Sequence, residues 1–382
     1  MPLGKELSPR ERMRIAIGNG QPDRVPCCPD ISNYIPARLT GRPFFDIYMR
    51  NDPPLWRAYL DAVRYFGIDG WFMYAGLGFQ RETSITADTE VLADGPERKT
   101  HRTTWHTPDG DLTAETVYYV GDPPTTTLKP VRDLTADLPK IRHWYAPITG
   151  CETSTADEMR QEVGELAVFG MYVPLPGFQS WFGLFDGGVE AMTYAHFDHP
   201  DEMEQLRRWT HDDAIRQCEM VLDYKPDFFL TGGSGSITLQ SPDLFRHYSL
   251  PTLKQICRMA KQAGVLTMIH SCGREWDLCR VAAEETDLNC INPLEVPPMG
   301  DCDLAACKRE FGHKLSLMGN LHTVEVMQRG TVRDVEHAAK AAIDAAAAGG
   351  GFILSTGDQC PVGTPDDNIR KLVEVAKTYG RY

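Results

Sequence analysis

The stretch Gly264-Val265-Leu266-Thr267-Met268-Ile269-His270-Ser271-Cys272-Gly273 begins as an apolar, β-branched run of strand length and ends in a turn, with a helical segment starting near Glu275. Side chains alternate along a strand, so His270 and Cys272, two apart, leave the same face at its C-terminal end and can converge on one point. An imidazole and a thiolate so placed suit zinc, which takes nitrogen and sulfur ligands in tetrahedral geometry. A third candidate ligand is Cys360, in Leu354-Ser355-Thr356-Gly357-Asp358-Gln359-Cys360-Pro361, just past a second apolar run, Gly351-Phe352-Ile353-Leu354. Three protein ligands would leave one coordination position open, as catalytic zinc sites do. Spacing alone leaves a second reading open, in which these side chains only pack.

Working outward, the same strand-then-helix unit recurs. Strand-like runs lie at Asp23–Asp30, Gly70–Tyr74, Leu166–Val173, Pro226–Leu230, Leu288–Asn292, Leu315–Gly319 and Phe352–Leu354, besides the one ending in His270, and helical periodicity separates them. The first helix has a complete start signal: Ser8 as cap, Pro9 at the first position and Glu11 at the third. Eight βα units close a TIM (β/α)8 barrel. The doubly wound alternative needs a glycine-rich phosphate turn after its first strand, and none is there; Gly232-Gly233-Ser234-Gly235 comes late and opens into Ser-Ile-Thr. One segment breaks the rhythm. Residues 80–130 carry alternating runs on either side of Pro108-Asp109-Gly110, which predicts an antiparallel β-hairpin inserted after the second strand of a single domain spanning 1–382. Arg98, Lys99, His101, Arg102 and His106 within it read as a solvated face.

With 42% hydrophobic and 24% charged residues the composition is that of a globular chain, and a formal net charge of -14 argues against nucleic acid or an anionic membrane as a main partner. No apolar run approaches the ~18 residues that span a bilayer. The polar N-terminus, Met1-Pro2-Leu3-Gly4-Lys5-Glu6-Leu7, predicts a cytoplasmic protein, in which the 11 cysteines are mostly reduced. Cys151, Cys218, Cys257, Cys279, Cys290, Cys302 and Cys307 read as packing residues.

Barrel enzymes keep their chemistry at the C-terminal ends of the strands. That face would carry Asp30, Tyr74, Thr231, Ser234, His270, Cys272, Asn292, Glu295, Asn320, His322, Asp358 and Cys360. Glu295, in Asn292-Pro293-Leu294-Glu295, is the candidate fourth zinc ligand; a carboxylate there could hold the metal at rest and yield to substrate. Asn320 and His322 could hydrogen-bond around the metal. Phe178, Trp181, Phe182 and Phe185 crowd one loop, which predicts either packing or an apolar substrate pocket.

The chain resembles the uroporphyrinogen decarboxylase superfamily and, within it, the zinc-dependent, corrinoid-linked methyltransferases. The residues that carry the likeness are Ser8-Pro9-Arg10-Glu11-Arg12, Pro22-Asp23-Arg24-Val25-Pro26, Ser241-Pro242-Asp243-Leu244-Phe245, Ile269-His270-Ser271-Cys272-Gly273, Asn292-Pro293-Leu294-Glu295, Gly319-Asn320-Leu321-His322-Thr323 and Thr364-Pro365-Asp366-Asp367-Asn368-Ile369. The resemblance implies that His270, Cys272 and Cys360 bind zinc, with a carboxylate or substrate in the remaining position. It also implies methyl transfer between a small molecule and the cobalt of a corrinoid. No Asp-x-His-x-x-Gly motif occurs in the chain, so the corrinoid is expected on a separate corrinoid-binding protein. The small molecule would be a thiol acceptor or a methyl donor such as a methoxylated aromatic, the donor favoured slightly by the aromatic loop. Expected roles are Glu295, Asn320 and Asp30 in catalysis and Tyr74, Phe178, Trp181, Phe182 and His322 in substrate binding; a homodimer is left open. The decarboxylases' Arg-Gln-Ala-Gly-Arg segment is replaced by Pro29-Asp30-Ile31-Ser32-Asn33-Tyr34, with no arginine until Arg38, which serves a polycarboxylated tetrapyrrole badly. Two alternatives stay open: a metal-free decarboxylase centred on Asp30, and a non-catalytic protein with a structural zinc site.

Overall fold

The computed structural model describes residues 6–382. Its centre is a seven-stranded parallel sheet made, in spatial and chain order, of Gly70–Ala75, Ala167–Tyr172, Phe228–Gly232, Leu266–His270, Cys290–Asn292, Ser316–Leu321 and Phe352–Thr356. Helices alternate with these strands, so the sheet is covered on its outer face, and the strands are accordingly apolar almost throughout. Strand ends lie level: His270 pairs with Gly232 on one side and Asn292 on the other, and Asn320 pairs with Ser355. The expected first strand is reduced to isolated bridges, Cys27 with Leu354 and Arg24 with Arg381. Pro26 and Pro29 have no N–H to give a ladder. The stretch still bonds to both flanks of the sheet: Cys28 N–H donates to Leu354 O (2.9 Å), Leu354 N–H to Pro26 O (2.9 Å), and Asp69 N–H to Cys27 O (2.8 Å).

Inside the curl of the sheet sits a small core built from alternate strand residues. Trp71, Val168, Phe228, Met268, Cys290, Met318 and Ile353, one from each strand, meet Met13, Ala16 and Ile17 of the helix Pro9–Ile17. That helix stoppers the N-terminal end of the sheet. Ser8 Oγ accepts from Glu11 N–H (3.2 Å) and the Glu11 carboxylate from Ser8 N–H (2.9 Å), the reciprocal cap that the sequence predicts. Arg12, on the same helix, is buried between Asp69 (2.6 Å) and Asp23 (2.7 Å), and Arg24 shares Asp69 (2.8 Å). With one end filled, the opposite rim is left for a site.

Between the first two parallel strands, Thr86–Asp94, Arg98–Thr107, Gly110–Tyr119 and Thr125–Leu128 form a separate four-stranded antiparallel sheet. Arg98–Thr107 and Gly110–Tyr119 pair across Pro108-Asp109. Its Leu112 packs into a second apolar cluster with Leu138, Ile141, Phe178, Trp181, Phe185 and Tyr248. Of the two readings of the aromatic loop, Phe178 and Trp181 follow the packing one: each is about 1% exposed, packed against Tyr248 with ring centroids 6.0 and 5.1 Å away. Phe182 is exposed beneath Lys129 Nζ, 3.5 Å from its ring centre. Among the described residues no helix is long and apolar enough to cross a membrane.

Candidate metal centre

The strand Leu266–His270 and the turn after it deliver His270 and Cys272 to the open rim, with Cys272 Sγ 3.1 Å from His270 Nε2. The last strand, Phe352–Thr356, ends in a turn whose Asp358 adopts φ 122°, a left-handed conformation costly for a residue with a Cβ. Thr356 holds that turn, its Oγ1 donating to Asp358 O (2.7 Å) and accepting from Asp30 N–H (2.9 Å). The consequence is that Asp358 Oδ2 lies 3.1 Å from Cys272 Sγ, and one ligand atom from each of His270, Cys272 and Asp358 falls within 4.8 Å of the others. Ser234 Oγ, from the loop after Phe228–Gly232, approaches the same sulfur at 3.4 Å.

Cys360, expected as the third ligand, stands outside this cluster. It is buried, and its N–H donates to Asp30 O (2.8 Å), which ties the two loops together. Asp358 is the residue of that turn that joins the cluster; the sequence placed Asp358 on the rim but offered no sign of the φ that turns it inward. Glu295 is nearby and 6% exposed, with Oε2 accepting from Gly273 N–H. Asn320 Nδ2 donates to Leu294 O (3.0 Å), bracing the loop that carries Glu295. Tyr74 donates to Ser32 O beside Asp30. His322 uses Nδ1 to accept from Val324 and Glu325 N–H (both 3.2 Å), capping the turn Thr323–Gln328. With Asn320 it lines a cavity of about 560 Å³ together with Val296, Pro297 and Ala342.

The electrostatics favour bound protons or a cation here. Burial, then the neighbouring Asp358, pushes the Asp30 carboxyl above its usual range. Burial does the same to Glu295, with Asp358 adding to it and the Gly273 N–H opposing, and the Cys272 thiol is pushed up by burial and Asp358. Among the described residues neither Asp30, Glu295 nor Asp358 pairs with a lysine or arginine. Asp30 and Glu295, buried, with Asp358 and Cys272, half-buried, form an acidic set without a counter-charge, which favours bound protons or a metal ion. Nitrogen, sulfur and carboxylate oxygen converging at this spacing could hold a metal ion, and these donor types suit zinc. His270 Nδ1, the ring atom turned away from the cluster, is buried and has no hydrogen-bond partner among the described residues.

Residues 185–379, half of the chain, match the family model for uroporphyrinogen decarboxylase (URO-D). The chain belongs to the URO-D family. Among curated relatives it is 31% identical over 159 residues to the methylcobamide:CoM methyltransferase MtbA of Methanosarcina mazei, a match spanning 42% of this chain and 41% of that protein. To the protein of the same name from Methanosarcina acetivorans it is 29% identical over 201 residues (52% and 53%). It is 25% identical over 195 residues to the methylated-thiol--coenzyme M methyltransferase of Methanosarcina mazei (47% and 49%). The chain thus spans about half the length of the curated relatives it matches. In fold, this URO-D chain is similar to a solved methyltransferase from Methanosarcina mazei at a TM-score of 0.65 and 18% identity, over 98% of this chain and 99% of that one. Its α/β, TIM-like architecture follows.

Proposed function

We propose that this URO-D chain is a zinc-dependent methyltransferase that moves a methyl group between a small substrate and the cobalt of a corrinoid carried by a partner protein. The convergence of His270, Cys272 and Asp358 at the open rim carries the reading. Half-length matches to corrinoid and thiol methyltransferases support it. The architecture that fits is a single domain, 1–382, in which the stretch at Cys27 closes a (β/α)8 barrel and the antiparallel strands within 80–130 are an insertion.

His270 and Cys272 would hold the ion, with Asp358 by geometry and Cys360 by resemblance completing the set, and Glu295 in reach as an exchangeable carboxylate. Zinc bound there would keep a thiol as its thiolate at neutral pH, or draw charge from a methylated heteroatom. Asn320 holds the Glu295 loop through Leu294 O, and Asp30, buried beside Asp358, retains a proton to a higher pH than a surface carboxyl does. With Phe178 and Trp181 packed away, an aromatic donor loses its structural argument. A thiol acceptor, the substrate type named for the curated relatives, becomes the better fit.

The test uses free methylcobalamin as surrogate for the partner, with CoM as thiol, following the visible absorbance change on demethylation. Zinc-loaded wild type should react, and His270→Ala should lose activity by about 100-fold or more together with about one zinc per chain, its fold intact. Equal rates with and without zinc would remove the metal from the proposal. CO2 release from a carboxylated substrate in its place would favour the decarboxylase.

A further inference from the structure

Three cysteines that read as packing residues in the sequence come together outside the rim cluster, behind the loop that carries Glu295. Cys279 lies on the helix Trp276–Glu285, Cys307 on the helix Leu304–Phe311 and Cys302 in the loop before it. The loop is folded back by Cys302 N–H donating to Glu295 O (3.0 Å) and by Asp301 Oδ1 accepting from Glu275 N–H (2.8 Å) and Trp276 N–H (3.1 Å). The three sulfurs lie within 4.8 Å of one another, and each residue is at most 1% exposed. Tetrahedral zinc with Zn–S bonds of ~2.3 Å spaces its sulfurs by roughly 3.8 Å, inside that limit.

A second observation points to the same ligand. Glu275, one helical turn before Cys279, is wholly buried. Its Oε2 accepts from Leu294 N–H and from Glu295 N–H (3.3 Å), while Oε1 has no partner among the described residues. This carboxyl lies in electrostatic range of Cys302 and Cys307. Glu275 stands outside the 4.8 Å group of the three sulfurs, but a buried carboxyl with one oxygen unpartnered, in electrostatic range of two of them, is an arrangement that a cation would relieve.

We propose that Cys279, Cys302 and Cys307 form a second zinc site, structural in kind and distinct from the one at the rim, which the Glu275 carboxyl closes by moving in as fourth ligand when the ion binds. Each thiol gives up its proton to solvent when the ion binds, and no position is left for substrate. The site's place gives it a use: Glu275 holds the backbone of Leu294 and Glu295, so the ion anchors from behind the loop that presents Glu295 to the rim.

The test is metal content by elemental analysis of the full chain in which the rim site has been removed by His270→Ala with Cys272→Ser. That variant should retain about one zinc per chain, and Cys279, Cys302 and Cys307 should resist a thiol reagent until chelator and denaturant are added. Adding Cys302→Ser should bring zinc to background. Zinc lost on removing the rim ligands reports the function proposed above, and zinc that remains reports this site, so the two can fail separately. Should the triple variant not fold, cobalt(II) in the rim-less variant decides: thiolate-to-cobalt charge-transfer absorption supports the site and its absence overturns it. A rim-less variant with no zinc, or a disulfide among the three cysteines found by mass mapping, would also overturn it.

Discussion

At residue scale the proposed zinc site turns on which side chain of the turn Gly357-Asp358-Gln359-Cys360 serves as ligand. Geometry brings Asp358 to Cys272, but at a φ that a residue with a side chain holds only under constraint. A thiolate is the stronger zinc ligand, and the resemblance assigns that part to Cys360. We therefore expect Cys360→Ser to weaken zinc binding by about 10- to 100-fold and Asp358→Asn by less, measured by competition with a chromogenic chelator. Full zinc affinity in Cys360→Ser would leave Asp358 as the ligand. Thr356 holds both the Asp30 and Asp358 backbones, so removal of its hydroxyl in Thr356→Val should slow methyl transfer with little change in zinc content, a split between rate and metal readable in one preparation.

At the scale of elements, two features show how tightly the strands and the first helix are matched. Gly170 lies in the strand Ala167–Tyr172 where a Cβ would meet the Phe228 ring at 2.2 Å. Gly170→Val should therefore cost at least ~1–3 kcal/mol in chemical denaturation, because the ring has no free volume to retreat into. The other is the cluster of Arg12, Asp23, Asp69 and Arg24. Burial raises the Asp23 carboxyl, but hydrogen bonds from the Arg12 guanidinium and Leu7 N–H outweigh it and hold the group below its usual range. A carboxyl lowered in the folded state contributes stability that is complete above its unfolded value of ~3.9 and is lost as pH falls through the folded one. Asp23→Asn should thus flatten the acid limb of the stability profile below about pH 4 and leave its neutral region less stable than wild type. Equal acid limbs would show that the pairing contributes nothing.

Across the whole molecule the helix Pro9–Ile17 closes one end of the sheet with Met13, Ala16 and Ile17, and the candidate metal centre occupies the other. The stopper and the site should respond differently to mutation. Met13→Asp places an unpaired charge among Trp71, Phe228 and Met268 and should destabilise by roughly 3–5 kcal/mol in denaturant melts, whereas His270→Ala should leave the melt nearly unchanged.

Much of this organisation was legible in the order of residues. Apolar runs of strand length between helical periods marked the parallel strands, because alternation and helical periodicity are local consequences of backbone geometry. Ser8, Pro9 and Glu11 announced the first helix by chemistry acting over three residues. His270 and Cys272 could be placed on one face because they share one strand end. The antiparallel segment was read as one hairpin, although four strands form, since the outer two, Thr86–Asp94 and Thr125–Leu128, carry weaker turn signals. Contacts between loops far apart in the chain left no periodic trace. Asp358 enters the rim cluster through one unusual backbone angle, Phe178 and Trp181 are claimed by the packing of a neighbouring sheet, and three ordinary cysteines meet Glu275 because a loop folds back over a helix start. Local patterns say which elements form and which way each faces; which side chains finally touch depends on the loop paths, and those follow from packing the whole chain at once.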